Sequence, residues 1–588
     1  MTTPRDTRTE ASPGQGQPLV RPPATSPARL GLMIALLMAI ATGCALCERG
    51  EAPPGAAATV ELAQLVPNDV DAAFFTADWK NLRDGAAILQ RQFGTQMPIA
   101  QSLDQLKQRF GVDLRDIPGL KAKGVRTGGG LAVTYTKDNV VLLIPIEAEK
   151  VFEDFALALG KERLGAADQP ITKQIDGHTL KFLVKKPADG QAPATIITPD
   201  ALVLAWTIRD GTAIVFPGKD LAQNTADAEI SLTRHLKLKP EASLSKLPDF
   251  DGLQKELSAS HPIFGFVNLP ASLAARAGSL GEFTHSKAQA DEMKTISAEV
   301  GWVGVGLKIE DAGLNLHVQV LARGNVKKRI DEGTEALGAS AALAPTLDGA
   351  PALALKTSFH PQKGIAELRK LLGDDAVMLD ESLALLKRQF QVDVEAQVLP
   401  ALDGNLVWAV YEAPPTLLQR PDLSMLMTTS RTTFSLGLRD RGAIIKAFDS
   451  VAQGASAFVK RSEQGGVVLY AFQGDAPLAT LAVGDKVALV ASAKISAEDA
   501  VRLASAKGKG PQGALAHPQV KAVADNNRAT GILLDPAQLQ KIVGIEQAAS
   551  PFAGLDRVLI SAMPEPRGAV LDLTVGFVPI PKEKAAPQ

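Results

Sequence analysis

Residues 102–114 read Ser-Leu-Asp-Gln-Leu-Lys-Gln-Arg-Phe-Gly-Val-Asp-Leu, and residues 382–394 read Ser-Leu-Ala-Leu-Leu-Lys-Arg-Gln-Phe-Gln-Val-Asp-Val. They align without a gap at an offset of 280 (382 − 102). Leu103, Leu106 and Phe110 lie at helical spacing, as do Leu383, Leu386 and Phe390, so each stretch is expected to be a helix with one apolar stripe running into a Val-Asp turn.

The flanking sequence repeats in the same order. Ala72-Ala73-Phe74-Phe75 matches Ala352-Leu353-Ala354-Leu355, and each is followed by a helical pattern, Leu82 to Phe93 and Ile365 to Leu372. Beyond the repeated helix, Gly130–Tyr135 matches Asn405–Tyr411, and helices with Phe152 and Phe155 answer those with Ile444 and Phe448. Asp200–Ala205 is then paired with Asp485–Val490, Gly265–Ala271 with Gly531–Ala537, and Leu314–Val320 with Ala569–Val575. Order is kept while the offset drifts, as duplication with loop-length change requires. The period is far too long for a solenoid.

The fold expected is α+β, with two homologous domains at 61–325 and 341–582. Charged residues 326–340 form a linker helix between them, and 583–588 a short tail. In 313–321 apolar residues alternate with Asn315, His317 and Gln319, which predicts a strand with one buried and one wet face. Glu310-Asp311-Ala312-Gly313 joins it to the preceding strand as a hairpin. Runs of strands with short turns and occasional helices predict a mostly antiparallel sheet with helices packed on one side.

Composition bounds the function. The 588 residues are 46% hydrophobic and 21% charged, with a net charge of −2, which describes a folded globule with no general pull toward nucleic acid. The only cysteines are Cys44 and Cys47, so no thiolate metal site or disulfide can form beyond residue 47.

Residues 1–43 read as a signal peptide: Arg5, Arg8, Arg21 and Arg29 precede an apolar run from Leu30 to Ile40, and Ala41-Thr42-Gly43-Cys44 follows. That ending resembles the lipobox of bacterial lipoproteins. The resemblance implies cleavage before Cys44, acylation of Cys44, and a lipidated tether over 44–60. Ala41 stands where the family usually has Leu, and the n-region is long. No Asp follows Cys44, which in that family points to the outer membrane. Together with Pro67-Asn68-Asp69 and the duplicated strand–helix–strand pattern, these features resemble uncharacterised bacterial lipoproteins of the domain-of-unknown-function kind.

Catalytic and metal motifs fail on context. Gly508–Gly513 has dinucleotide-loop spacing but follows a helix and contains Pro511. Ser243-Leu244-Ser245-Lys246 matches Ser-x-x-Lys without its companion elements. None of the seven histidines has another three to five residues away. Trp79, Trp206, Trp302 and Trp408 sit in or beside apolar strand patterns and are read as core. The expectation is therefore no catalytic residue, no metal and no cofactor.

One segment lacks a counterpart. Residues 414–427 insert Leu417, Leu418, Leu423, Met425, Leu426 and Met427, an apolar load suited to adaptable contact with an envelope protein, a membrane or an apolar ligand. The functional expectation is a lipid-anchored, non-enzymatic envelope protein with a binding or assembly role. A carrier of lipid or another apolar ligand is the alternative, and an enzyme of unrecognised type stands third.

Two tests follow from the sequence. Cys44→Ala leaves an unprocessed precursor that palmitate does not label; labelling at wild-type size would refute the lipobox. Residues 61–325 and 341–582, expressed separately, each fold, because about 250 residues suffices for a core. Circular dichroism and thermal melting of the two fragments check this, and two unfolded fragments would refute it.

Overall fold

The computed structural model describes residues 61–579, apart from 94–98, 187–200, 219–227, 272–295, 416–422, 544–553, most of 336–350, 362–375 and 506–528, and scattered single positions. The first half contains strands β1 Ala72–Thr76, β2 Leu131–Thr136, β3 Asn139–Pro145, β4 Ile171–Ile175, β5 His178–Val184, β6 Leu202–Arg209, β7 Thr212–Pro217, β8 Ile263–Asn268, β9 Trp302–Glu310 and β10 Gly313–Leu321. Its helices are α1 Trp79–Phe93, α2 Ile99–Phe110, α3 Ile117–Ala122, α4 Glu149–Arg163, α5 Ala228–Leu236 and α6 Phe250–Ser260. The charged stretch between the halves is helical as α7 Gly324–Glu335.

The second half repeats the plan. Its strands are β11 Leu353–Ser358, β12 Leu402–Glu412, β13 Arg431–Leu438, β14 Val459–Gln464, β15 Val467–Gln473, β16 Pro477–Val483, β17 Val487–Ser492, β18 Thr530–Leu534, β19 Leu555–Glu565 and β20 Gly568–Phe577. Its helices are α8 Ala376–Phe390, α9 Leu423–Thr429, α10 Arg441–Gly454, α11 Ala497–Ala504 and α12 Pro536–Val543.

Every strand pairing among the described residues is antiparallel, which makes the fold α+β. Along the first half the strands lie in the order β4-β5-β6-β7-β3-β2-β1-β8-β9-β10. Along the second they run β14-β15-β16-β17-β13-β12-β11-β18-β19-β20, the same order position by position. β10 then pairs with β20, so both halves belong to one twenty-stranded sheet.

Three of the sequence matches shift. β17, not β16, pairs with β13 and so occupies the place of β7; the Leu202–Ala205 part of the earlier match lies on β6 and therefore corresponds to β16 rather than to Asp485–Val490. Adjacent apolar strands of one hairpin carry nearly the same pattern, which is why sequence matched the wrong one. Likewise, carrying the β10–β20 match through β9 and β19 sets Ile263 against Leu307 as Thr530 is set against Ala562, which aligns Gly265 with Ile532 instead of Gly531. Since Gly265 faces Phe74 and Ile532 faces Leu355, Phe74 then aligns with Leu355 instead of Ala354. A one-residue slip in a strand exchanges its two faces.

Helices cover both faces, correcting the expectation of one. Ala73 and Phe75 point into a core with Leu232 of α5 and Leu253 and Leu257 of α6. Phe74, Leu131 and Val133 point the other way, to Trp79 and Leu82 of α1 and Leu120 of α3. The second half does the same, with Leu503 of α11 on one face and Ile444 of α10 on the other. The physical reason is that central strands such as β7 are buried along their whole length, so neither face is left to water.

The repeated stretch is helical in both halves, as α2 and α8. Leu103 is buried against Ala86, Leu89 and Phe93, while the side chains of Leu106 and Phe110 lie outside the described residues. In the second copy Leu383, Leu386 and Phe390 are half-buried, and the Phe390 ring lies on Gly454 at the end of α10.

The hairpins that meet at the centre depend on two glycines. A Cβ at Gly313 would run into the carbonyl oxygen of Val575, and one at Gly568 into that of Val320. Gly568→Val is expected to lower stability by about 2–4 kcal/mol in urea unfolding, because the obstacle is backbone. Gly128→Ala, where a Cβ meets nothing within 4 Å, is the control and stays within about 0.5 kcal/mol.

Candidate functional site

The β10–β20 seam carries a linked set of polar side chains from its two strands and from α6. The alternation in β10 is present as read, but its polar face is not the wetter one, because Asn315 and His317 are half-buried like Leu316 and Val318. Gln319 is 2% exposed, and Thr574, on the same face of β20, is also buried. On the opposite face Leu316 and Val318 are only half-buried, and Leu571 is 43% exposed. The face expected to be wet is covered by α6, and the apolar face is the more open one.

The polar residues satisfy one another across strands. His317 Nδ1 donates to Asp572 Oδ1 at 2.8 Å. Asn315 Nδ2 donates to Thr574 Oγ1 at 3.1 Å, and its Oδ1 accepts from His261 Nε2 at 3.1 Å. Gln319 Nε2 donates to Glu256 Oε2 at 2.9 Å, and Arg567 approaches the same carboxylate oxygen at 3.5 Å. The His261 and His317 rings stack with centroids 5.1 Å apart and planes 25° from parallel.

His261 follows the end of α6, its N–H bonded to the Leu257 carbonyl at 2.7 Å. Its ring fills the space left by Gly306 on β9, where a Cβ would lie 2.8 Å from Nδ1. That nitrogen is buried without a hydrogen-bond partner among the described residues. With the proton on Nε2, Nδ1 keeps a bare lone pair, and burial holds the ring's pKa below the ordinary histidine value against the opposing Asn315 bond.

Ser561, Asp572, His317 and Gly306 stand in one row across β19, β20, β10 and β9. Activation of a nucleophile needs the base between the carboxylate and the hydroxyl. Here the carboxylate lies between the serine and the histidine, so the row is a hydrogen-bonded array rather than a triad.

The motifs set aside from sequence have structural roles where they are described. Ser243 donates to the Pro240 carbonyl at 2.7 Å and contacts the Ser245 hydroxyl at 2.8 Å, which closes a turn. Trp79 and Trp206 are core, and Trp302 packs against the core of the first half. Trp408 stacks on Phe434 at 5.6 Å and donates to Thr432. His235 is fully enclosed, and burial pushes its pKa down to about 4. No cluster of three or more His, Cys, Asp or Glu able to hold a metal occurs among the described residues.

Of the insertion at 414–427, Met425, Leu426 and Met427 are half-buried on α9, which packs against β13, β16 and β17. Ala493 N donates to the Met427 carbonyl at 3.0 Å. Leu417, Leu418 and the side chain of Leu423 lie outside the described residues, as do Cys44 and Gly508–Gly513. Sequence reading singled out none of the seam residues for function. The available signal was polar residues at alternate positions of both matching strands, Asn315, His317 and Gln319 in one and Asp572 and Thr574 in the other.

No protein-family model and no curated protein matches the chain. Among solved structures it is similar to crystal form I of TP0453 at 7% identity and a TM-score of 0.24, over 41% of this chain and 93% of that one. Crystal form IV of TP0453 is similar at 9% identity and a TM-score of 0.24, over 40% and 81%.

His317→Ala and Asp572→Ala are each expected to cost about 1–3 kcal/mol, since each leaves its partner unpaired in a half-buried site. The double variant costs less than the sum, with a coupling of about 0.5–3 kcal/mol in a urea-denaturation cycle. Strict additivity would show that the pair does not hold the seam.

Proposed function

We propose that the chain is a lipid-anchored, non-enzymatic protein of the cell envelope whose role is binding, with the open apolar face of the seam as its contact surface. The Cys44 sequence supports the anchor and the envelope location, on the periplasmic side of the outer membrane. No helix among the described residues is long and apolar enough to cross a membrane, so membrane attachment in this reading comes from acylation.

The observation that carries the binding role is the aliphatic strip itself. Leu316, Val318, Leu571, Leu573 and Ile560 share one face of three adjacent strands, and Leu571 and Ile560 are exposed. Burial of each such side chain is worth about 1.5–3 kcal/mol, so a contiguous strip favours a covering partner. Protein interfaces are enriched in aromatic residues and Arg, whereas this strip is purely aliphatic. That favours lipid or another apolar ligand as the second reading, ahead of an enzyme.

Native mass spectrometry of the acyl-free mature chain, purified from its own host, is expected to retain an apolar molecule or a partner. The double variant Leu571→Ser/Leu573→Ser loses it while keeping the wild-type fold by circular dichroism. Equal retention by the variant would remove this face as the site.

A further inference from the structure

We propose that His261 is an acid-sensitive latch of the seam, whose protonation loosens the junction between the two halves. The argument rests on what surrounds the ring. Nε2 is committed to Asn315, and Nδ1 lies against the Gly306 backbone with no acceptor. A proton added there creates a buried N–H⁺ with nothing to receive it, which is among the costlier polar defects in a protein interior.

Of the charged and titratable groups around the ring, only Asp572 favours the added proton, and burial outweighs it. On β10, His317 stacks on the ring and adds positive charge whenever it is protonated. On β20, the Asp572 carboxylate is already engaged by His317 Nδ1. On β9, Lys308 contributes a further cation, tied to Glu310. On α6, Glu256 serves Gln319 and Arg567. A protonated His261 must therefore leave its slot over Gly306. Because it terminates α6, its departure draws away the helix that covers the polar face of β10 and β20.

The direction with pH follows from linkage. The unfolded chain takes up this proton near the ordinary histidine value, about 6.5, while the closed seam resists it. The latch is fully effective above that value and is lost as pH falls toward the lower folded value. One proton changes the opening constant by at most about tenfold per pH unit in that window.

Hydrogen–deuterium exchange of the full mature chain, corrected for intrinsic rates, tests this between about pH 8 and about pH 5. Amides of 313–321 and 568–577 are expected to lose protection several-fold at the acid end in the wild type. In His261→Gln, whose neutral amide still donates to Asn315, the loss is absent. Unchanged wild-type protection, or an equal loss in His261→Gln, overturns the proposal. Histidine C2-proton exchange on the wild type decides the matter if that variant does not fold. A midpoint for His261 below that of free histidine supports the latch, and an ordinary midpoint overturns it. Neither readout depends on a bound ligand, so the latch and the binding reading fail separately.

Discussion

Nine register pairs between β10 and β20 hold the two halves in one sheet, and His317–Asp572 stands at their centre. The sequence match of these strands has an offset of 255, and His317 and Asp572 are 255 residues apart. They are the same position of the repeat, so the seam joins one edge strand to its own counterpart about a local two-fold axis. Gly313 against the Val575 carbonyl and Gly568 against the Val320 carbonyl are the same contact seen from the two sides. Self-complementary pairing of this kind is what isologous dimers use, here within one chain. It also removes two open edges that would otherwise invite association. The edges that remain, β4 and β14, are largely exposed and carry Lys173, Lys460, Arg461 and Glu463. Charged side chains of this sort blunt an edge.

Identical positions with different side chains make the seam specific. A duplicated histidine or a duplicated aspartate would place like charges opposite each other; one of each gives a hydrogen-bonded pair. The neighbouring pairs extend this into a polar layer under α6. Such a layer is stabilising only where its members are satisfied, and His261 Nδ1 and Gln319 Oε1 are not. Those two atoms mark where the layer is least secure. The opposite face has no polar side chain to satisfy; its Leu314 and Val575 end packs against α1, and it is open around Leu571 and Ile560, which ties the binding reading to the same strands.

The start of each half is fixed in a similar way. Asp348 receives both guanidinium nitrogens of Arg502 on α11, at 3.3 and 2.9 Å, and Arg431 from β13 at 3.4 Å. Its backbone N–H donates to the Tyr411 hydroxyl at 2.9 Å. In the first half Asp69 is paired with Arg234 on α5. α5 and α11 follow equivalent strands, so each half uses the helix after that strand to clamp its own first strand.

Sequence alone was enough for the repeated order of elements, the antiparallel α+β class and the central hairpin at Glu310–Gly313. All of these are local: they rest on periodicity, turn residues and repeated spacing, which a linear pattern carries. Tertiary structure decided which strand of the β16–β17 hairpin answers β7, because neighbouring apolar strands differ in pairing and not in pattern. It decided that helices cover both faces, since alternation in one strand says nothing about what lies above it. It decided that Asn315, His317 and Gln319 face α6 rather than water. Polarity records what a side chain can bond to, but burial depends on whether distant residues supply the partners. His261, Glu256, Asp572 and Thr574 do so here, from positions 54 to 259 residues away in the paired contacts.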